Sequence, residues 1–214
     1  MPLTTENRDE IHKGLRSVLS HPALYILFGR LMGLSEKYRM YITDFIKPFS
    51  GMRILDIGCG PAAILNFLPL EVDYTGYDLN PSYISYAKKR YGHRATFFNQ
   101  RVSDMTLLDT RPFDVILADG LLHHLSETEA INLFSIGRRV LKPDGFMLTV
   151  DPAFDENQKL MDKWITSTDR GQHVRYPEGY RKIAESVFSI VEVHVVKDIG
   201  TFSLTGCILK CRKE

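Results

Sequence analysis

The sequence predicts an α/β fold: a doubly wound, mostly parallel sheet with helices on both faces and a helical extension before the first strand. Three observations predict it. A nearly unbroken apolar strand at 51–57 runs into Asp56 and a glycine turn, Gly58-Cys59-Gly60, as expected of a strand buried on both faces. A second strand at 72–77 is closed by Asp78 and followed by a well-marked helix, with Asn80 at the N-cap, Pro81 in the first turn and Gly92 beyond the end. Short apolar strands then recur at 113–118 and 146–150, each closed by an acid, Asp119 and Asp151, with a helical stretch between them.

The elements follow in chain order. Residues 1–50 read as helical. Ser20 and Pro22 mark a helix start, and Leu24, Leu27, Phe28, Leu31 and Met32 recur at helical spacing. Ser35 is placed to cap a second helix reaching about Ile46, which Pro48 ends. After the glycine turn, residues 62–68 are expected to be helical. A third strand covers 95–100. The fourth, 113–118, leads through Asp119-Gly120-Leu121-Leu122-His123-His124 to a helix opened by a capping box, Ser126 with Glu129. Leu141-Lys142-Pro143-Asp144-Gly145 reads as a turn before the fifth strand. A helix from about 156 to 168 carries the sole tryptophan, Trp164, and two alternating strands at 187–196 and 202–211 close the chain. The organisation reads as one domain over 1–214: a helical extension at 1–50, a cofactor-binding half at 51–150, a substrate-side insertion at 151–185 and a strand pair at 186–214.

A formal net charge of +1 gives no argument for nucleic acid as a partner. Cys59, Cys207 and Cys211 are sparse and lack C-x-x-C spacing, so reduced thiols are expected and neither a disulfide framework nor a metal site. No apolar run approaches the roughly 20 residues of a membrane span, and residues 1–10 are polar without a signal-peptide core. A cytoplasmic, non-membrane protein is the expectation.

Gly58, Gly60 and Ala63 satisfy the G-x-G-x-x-A spacing of dinucleotide-binding turns, with Asp78 at about the 20-residue distance expected of a ribose acid. That spacing keeps an NAD-dependent oxidoreductase among the alternatives. Asp56 argues against it, because an acid at the end of the first strand would face a pyrophosphate with like charge. D-x-G-x-G (Asp56, Gly58, Gly60) after a strand, with Asp78 closing the next, resembles motif I and the ribose acid of class I S-adenosylmethionine-dependent methyltransferases. The lead Leu141-Lys142-Pro143-Asp144-Gly145 and the final strand pair are similar to that family too. The departure is Ala62, where the family commonly has a third glycine.

The resemblance implies a seven-stranded sheet with an antiparallel last strand, and S-adenosylmethionine as cofactor with S-adenosylhomocysteine as product. It implies cofactor contacts from Asp56, Ile57, Gly58, Cys59 and Gly60, from Asp78 and Leu79 at the ribose, from Ser103, Asp104 and Met105 around the adenine, and from Ala118 and Asp119. Asp119, His123 and His124 would face the transferred methyl group, a histidine there being able to take a substrate proton. N-terminal helices lying across the crevice would bring Tyr25, Arg30, Tyr38 or Arg39 towards the methionyl end; as amphipathic helices they equally use arginines that snorkel to solvent. Ala118-Asp119-Gly120-Leu121 lacks the Asn/Asp-Pro-Pro-Tyr-like motif of the family's DNA and glutamine N-methylases, which favours a small-molecule acceptor methylated on O or N. Asp151, Arg170, Arg175 and Tyr180 in or beside the insertion are the candidates to contact it, the arginines suiting a carboxylate or phosphate. A non-catalytic cofactor-binding protein of the same fold is the remaining alternative.

Overall fold

The structure is a computed structural model, and it describes residues 22–31, 33–103, 107, 111–167, 171–199 and 204–214. Two helices, α1 (Pro22–Leu31) and α2 (Leu34–Met40), precede the sheet. The cap of α2 is Gly33, at φ +83°, and not Ser35, whose predicted capping role is thereby corrected. A glycine there lets the chain reverse between two helices without a Cβ clash. The helix continues as a wider π turn over Tyr41–Ile46 and stops where Lys47 turns left-handed before Pro48.

The sheet has seven strands in the order β3-β2-β1-β4-β5-β7-β6. They are β1 (Arg53–Ile57), β2 (Asp73–Tyr77), β3 (Ala95–Phe98), β4 (Phe113–Asp119), β5 (Leu141–Pro152), β6 (Ile190–Ile199) and β7 (Leu204–Arg212). β1 to β5 pair in parallel, and β7 runs antiparallel to β5 and β6. The Lys142-Pro143-Asp144-Gly145 turn is absorbed into β5: pairing with β4 jumps from Phe113↔Leu141 to Val115↔Phe146, so the intervening residues loop out of register. Lys142 Nζ reaches Asp114 Oδ1 at 2.7 Å beside this bulge.

Alternation along the strands divides the core into two layers. Leu55, Ile57, Ile116, Ala118, Met147 and Leu209 pack with Phe134 and Ile136 of α4 (Glu127–Val140) and Ile183 of α6 (Pro177–Glu185). Ile54, Val115, Leu117, Leu148 and Ile208 face the other way, onto Tyr38 and Tyr41 and onto Ile84 and Ala87 of α3 (Pro81–Tyr91). The predicted caps hold where the signal is local. Asn80 accepts from the N–H groups of Ser82 and Tyr83, and Ser126 and Glu129 form the reciprocal capping box.

Residues 62–68 do not form the predicted helix. Ala62 adopts φ +55°, and only one 3-10 turn, Ala63–Asn66, follows. The first helix of the insertion region, α5 (Leu160–Ser167), is shorter than expected and packs by its polar side. Asp162 accepts from Thr205 Oγ1 at 2.6 Å and from Thr166 Oγ1 at 3.2 Å, all three buried, while Leu160, Met161 and Trp164 lie exposed. Cys207 and Cys211 are buried in β7 and, like Cys59, are free thiols. Among the described residues no helix is long and apolar enough to cross a membrane, and no group of three or more His, Cys, Asp or Glu could hold a metal ion.

Candidate functional site

The carboxyl ends of β2, β1, β4 and β5 are neighbours in the sheet, and each carries an acid: Asp78, Asp56, Asp119 and Asp151. This is the edge at which open α/β sheets bind ligands. Around the middle pair a narrow cleft is closed from above by the N-terminal helices. Tyr38, Tyr41, Asp56, Gly58, Cys59, Leu117, Asp119 and Val150 are among its lining. Ile57 and Ala118, expected in the site, point into the opposite core layer, so only their main chain can border the cleft. The cause is the strict alternation of strand side chains.

Asp56 is buried, and the Tyr74 hydroxyl on β2 donates to its Oδ2. Burial pushes its carboxyl up to about 7; the Tyr74 bond opposes the rise, and the negative charges of Asp119 and Asp78 add to it. Asp119 is paired: Lys37 Nζ, from α2, lies 2.9 Å from Oδ1. The same ammonium sits 5.7 Å from the centroid of the Tyr38 ring and 5.4 Å from that of Tyr41, within cation–π range of both. Neither Tyr74 nor Lys37 carries a motif signal. Tyr38 was visible as an aromatic on an N-terminal helix, whereas Arg39 is exposed over Phe67, and the side chains of Tyr25 and Arg30 lie outside those described.

The glycine turn is held from within. Gly58 and Gly60 take φ +78° and +53°. The N–H groups of Gly58 and Cys59 donate to Tyr77 O at 2.8 and 3.0 Å, and that of Gly60 to Asp78 Oδ2 at 2.8 Å. Asp78 Oδ1 accepts from Asn80 N at 2.7 Å. A carboxylate oxygen accepts more than one donor, so these bonds orient Asp78 without consuming it. Leu79 beside it is exposed. With a single 3-10 turn in place of a helix after Gly60, the helix N-terminus that would cradle a pyrophosphate is missing here. Cys59 Sγ packs against the backbone of Gly76, where an added Cβ would lie only 2.8 Å away, and burial pushes its thiol up.

The histidine pair divides. His123 is buried and His124 is exposed, their rings 4.0 Å apart. His123 Nδ1 lies 2.7 Å from Asp151 Oδ1, which also accepts from the His123 N–H at 3.1 Å. A carboxylate on Nδ1 sets the tautomer, leaving Nε2 as the basic nitrogen. Asp151, predicted to contact substrate, is therefore the partner of His123, because its side chain is turned inward beneath the β4–α4 loop.

Two more of the predicted substrate contacts are structural. Arg175 donates through Nη1 to Leu122 O at 3.1 Å and His173 O at 2.9 Å, and through Nη2 to Leu125 O at 2.9 Å. Its planar fork is spent on carbonyls, not held out for an anion. Tyr180 is fully buried in α6; its hydroxyl donates to Pro152 O at 3.0 Å and accepts from Arg175 N at 3.3 Å. Together with His173 N–H on His123 O at 2.9 Å, these bonds strap the insertion onto the loop that carries the histidines. Gly171 closes the strap: a Cβ there would meet His123 Cδ2 at 2.1 Å and its carbonyl oxygen at 2.5 Å. Ser103 is half-buried after β3, while Asp104, Met105 and Arg170 lie outside the described residues.

Residues 54–145 match the family described as methyltransferase domain, a span that runs from β1 through the glycine turn and the histidine loop into β5. Over this span the chain is similar to the class I methyltransferases. The cofactor of that family is S-adenosylmethionine. Among curated relatives, the chain is 28% identical over 160 residues to the putative methyltransferase YqeM of Bacillus subtilis, covering 72% of this chain and 61% of that protein. It is 33% identical over 103 residues to a ubiquinone biosynthesis O-methyltransferase of Bradyrhizobium sp., covering 46% and 39%. The chain thus spans less than two thirds of the length of the curated relatives it matches. Human N-acetylserotonin methyltransferase, solved with S-adenosylmethionine, shares the fold at a TM-score of 0.60 and 17% identity over 95% of this chain and 60% of its own.

The residues present suit that cofactor. Its ammonium and sulfonium call for acids and aromatic faces, and Asp56, Asp119, Tyr38 and Tyr41 supply them; a lysine ammonium already rests in that environment.

Proposed function

We propose that this chain transfers the methyl group of S-adenosylmethionine to an oxygen or nitrogen of a small-molecule acceptor. The observation that carries the reading is the row of acids at four adjacent strand ends, bordering a cleft whose walls are acidic and aromatic. In this reading Asp56, with the backbone of Gly58, Cys59 and Gly60, holds the methionyl end. Asp78, already aimed by Gly60 N–H and Asn80 N–H, accepts the ribose hydroxyls, with Leu79 as an apolar wall beside it. Ser103, Asp104 and Met105 take the adenine by their family position. The bound cofactor supplies an electrophilic methyl carbon activated by a positively charged sulfur.

The protein's part is to hold the acceptor atom in line, about 3–3.5 Å from that carbon, in a site closed to water. Asp119 and the histidine loop border the acceptor. His123, its Nδ1 fixed by Asp151, takes the proton of a hydroxyl acceptor at Nε2; the pair favours O-methylation for that reason. The ubiquinone-pathway O-methyltransferases among the relatives support the same choice.

Calorimetric titration with S-adenosylmethionine, S-adenosylhomocysteine and NAD(H) tests the cofactor. Micromolar binding of the first two alone is expected; binding of NAD(H) alone would refute the reading. For the base, His123→Ala is expected to lower turnover 10²-fold or more at unchanged cofactor affinity, with His124→Ala near wild type. Equal turnover in both variants would remove His123 from the chemistry.

A further inference from the structure

The cleft between α2 and the strand ends is nearly closed. Tyr38, Tyr41, Asp56, Gly58, Leu117 and Asp119 leave a cavity of about 30 Å³, which holds a water molecule or two and not an aminoacyl chain. Three of these residues also meet Lys37, 82 residues from Asp119 in sequence, with its ammonium 2.9 Å from the Asp119 carboxylate and between 5 and 6 Å from the Tyr38 and Tyr41 ring centroids. An acid flanked by aromatic faces is the environment that proteins use to take up cationic ligands. Here the chain fills it with its own cation.

We propose that Lys37 is an affinity-setting residue of the cofactor site: its ammonium occupies the Asp119–tyrosine environment, so a ligand's own cation reaches Asp119 only by displacing it. This inference rests on the cofactor assignment above. The replacement breaks the Lys37–Asp119 ion pair and forms a new one between Asp119 and the ligand, and Lys37 moves out to solvent with α2, which carries Tyr38 and leads into Tyr41. An uncharged adenosyl compound has nothing to offer Asp119 and leaves the ion pair in place, so its affinity does not depend on Lys37. Lys37 thereby weakens the binding of cationic ligands alone, by the worth of the ion pair they displace.

The test is a calorimetric titration of wild type, Lys37→Met and Lys37→Arg with S-adenosylmethionine and with adenosine. Methionine keeps much of the stem and removes the charge; arginine keeps the charge. Lys37→Met is expected to bind S-adenosylmethionine roughly five- to tenfold more tightly than wild type, the range set by releasing a partly buried ion pair. Adenosine affinity should not change, and Lys37→Arg should behave as wild type. Weaker or unchanged S-adenosylmethionine binding by Lys37→Met overturns the inference, since Lys37 would then be a ligand contact or a bystander. An equal gain for adenosine also overturns it, because the barrier would be the closed helix and not the charge. If no adenosyl compound binds any of the three proteins, the cofactor assignment falls, and the inference with it; a wrong charge ordering with intact binding removes the inference alone.

Discussion

Asp56 shows how much one side chain can couple. Its carboxyl is raised from 3.8 to about 7 in the folded chain, first by burial, so the native state holds a proton that the unfolded chain has lost between those values. Stability therefore falls as pH rises from about 4 to 7 and levels off above, by at most about 1.4 kcal/mol per pH unit. Urea unfolding of wild type and Asp56→Asn across pH 4–8 should show that slope in the wild type alone. A cationic ligand draws the same proton off, so binding near pH 6 should release protons, visible as a dependence of calorimetric heat on the buffer's ionisation enthalpy. The glycine turn offers a contrast at the same scale. Gly58→Ala places a Cβ in ordinary contact with Leu121, so its cost is the left-handed backbone, about 1–2 kcal/mol in thermal unfolding. Ala62→Gly relieves the same strain but vacates the space of a fully buried methyl, and these terms nearly cancel; stability within about 1 kcal/mol of wild type is expected.

At the scale of elements, the insertion and the histidine loop act as a unit because Arg175 joins them. Arg175→Lys cannot satisfy three splayed carbonyls with one ammonium, so hydrogen exchange over residues 171–176 should quicken and turnover should fall, with cofactor affinity unchanged. A normal exchange pattern would show that the strap is redundant. The elements that were legible in the sequence were those specified by neighbours in the chain: Asn80 with Pro81, Ser126 with Glu129, and the apolar runs of β1 and β4. The helix expected at 62–68 was not, because left-handed Ala62 redirects the chain and burying Ile64, Leu65 and Leu68 needs only one turn. Site acids at strand ends were visible for the same local reason. Their partners were not: Tyr74 meets Asp56 through sheet pairing, Lys37 meets Asp119 through helix docking, and Asp151 meets His123 across the β4–β5 edge. Arg175 and Tyr180 looked like substrate contacts because polarity in a long insertion does not distinguish a bond to ligand from a bond to backbone.

At the scale of the whole molecule, the sheet separates two tasks. The cleft of Asp56 and Asp119 opens towards the layer of α2 and α3, whereas Tyr180, which straps down the insertion, belongs with the layer of α4 and α6. A cofactor bound at the strand ends stabilises the folded chain in proportion to its occupancy, so the melting temperature should climb with S-adenosylmethionine concentration, by the equivalent of about 2.7 kcal/mol at 100 times Kd, and stay fixed with NAD(H). A scan without that dependence would argue against binding at this edge. The anchoring of α5 by Asp162, Thr166 and Thr205 has an experimental use as well. It leaves Trp164, the chain's only tryptophan, 63% exposed on the insertion. The molecule therefore carries a single indole fluorophore at residues 160–167, whose emission colour registers events at the insertion with no dye and no second tryptophan to obscure it.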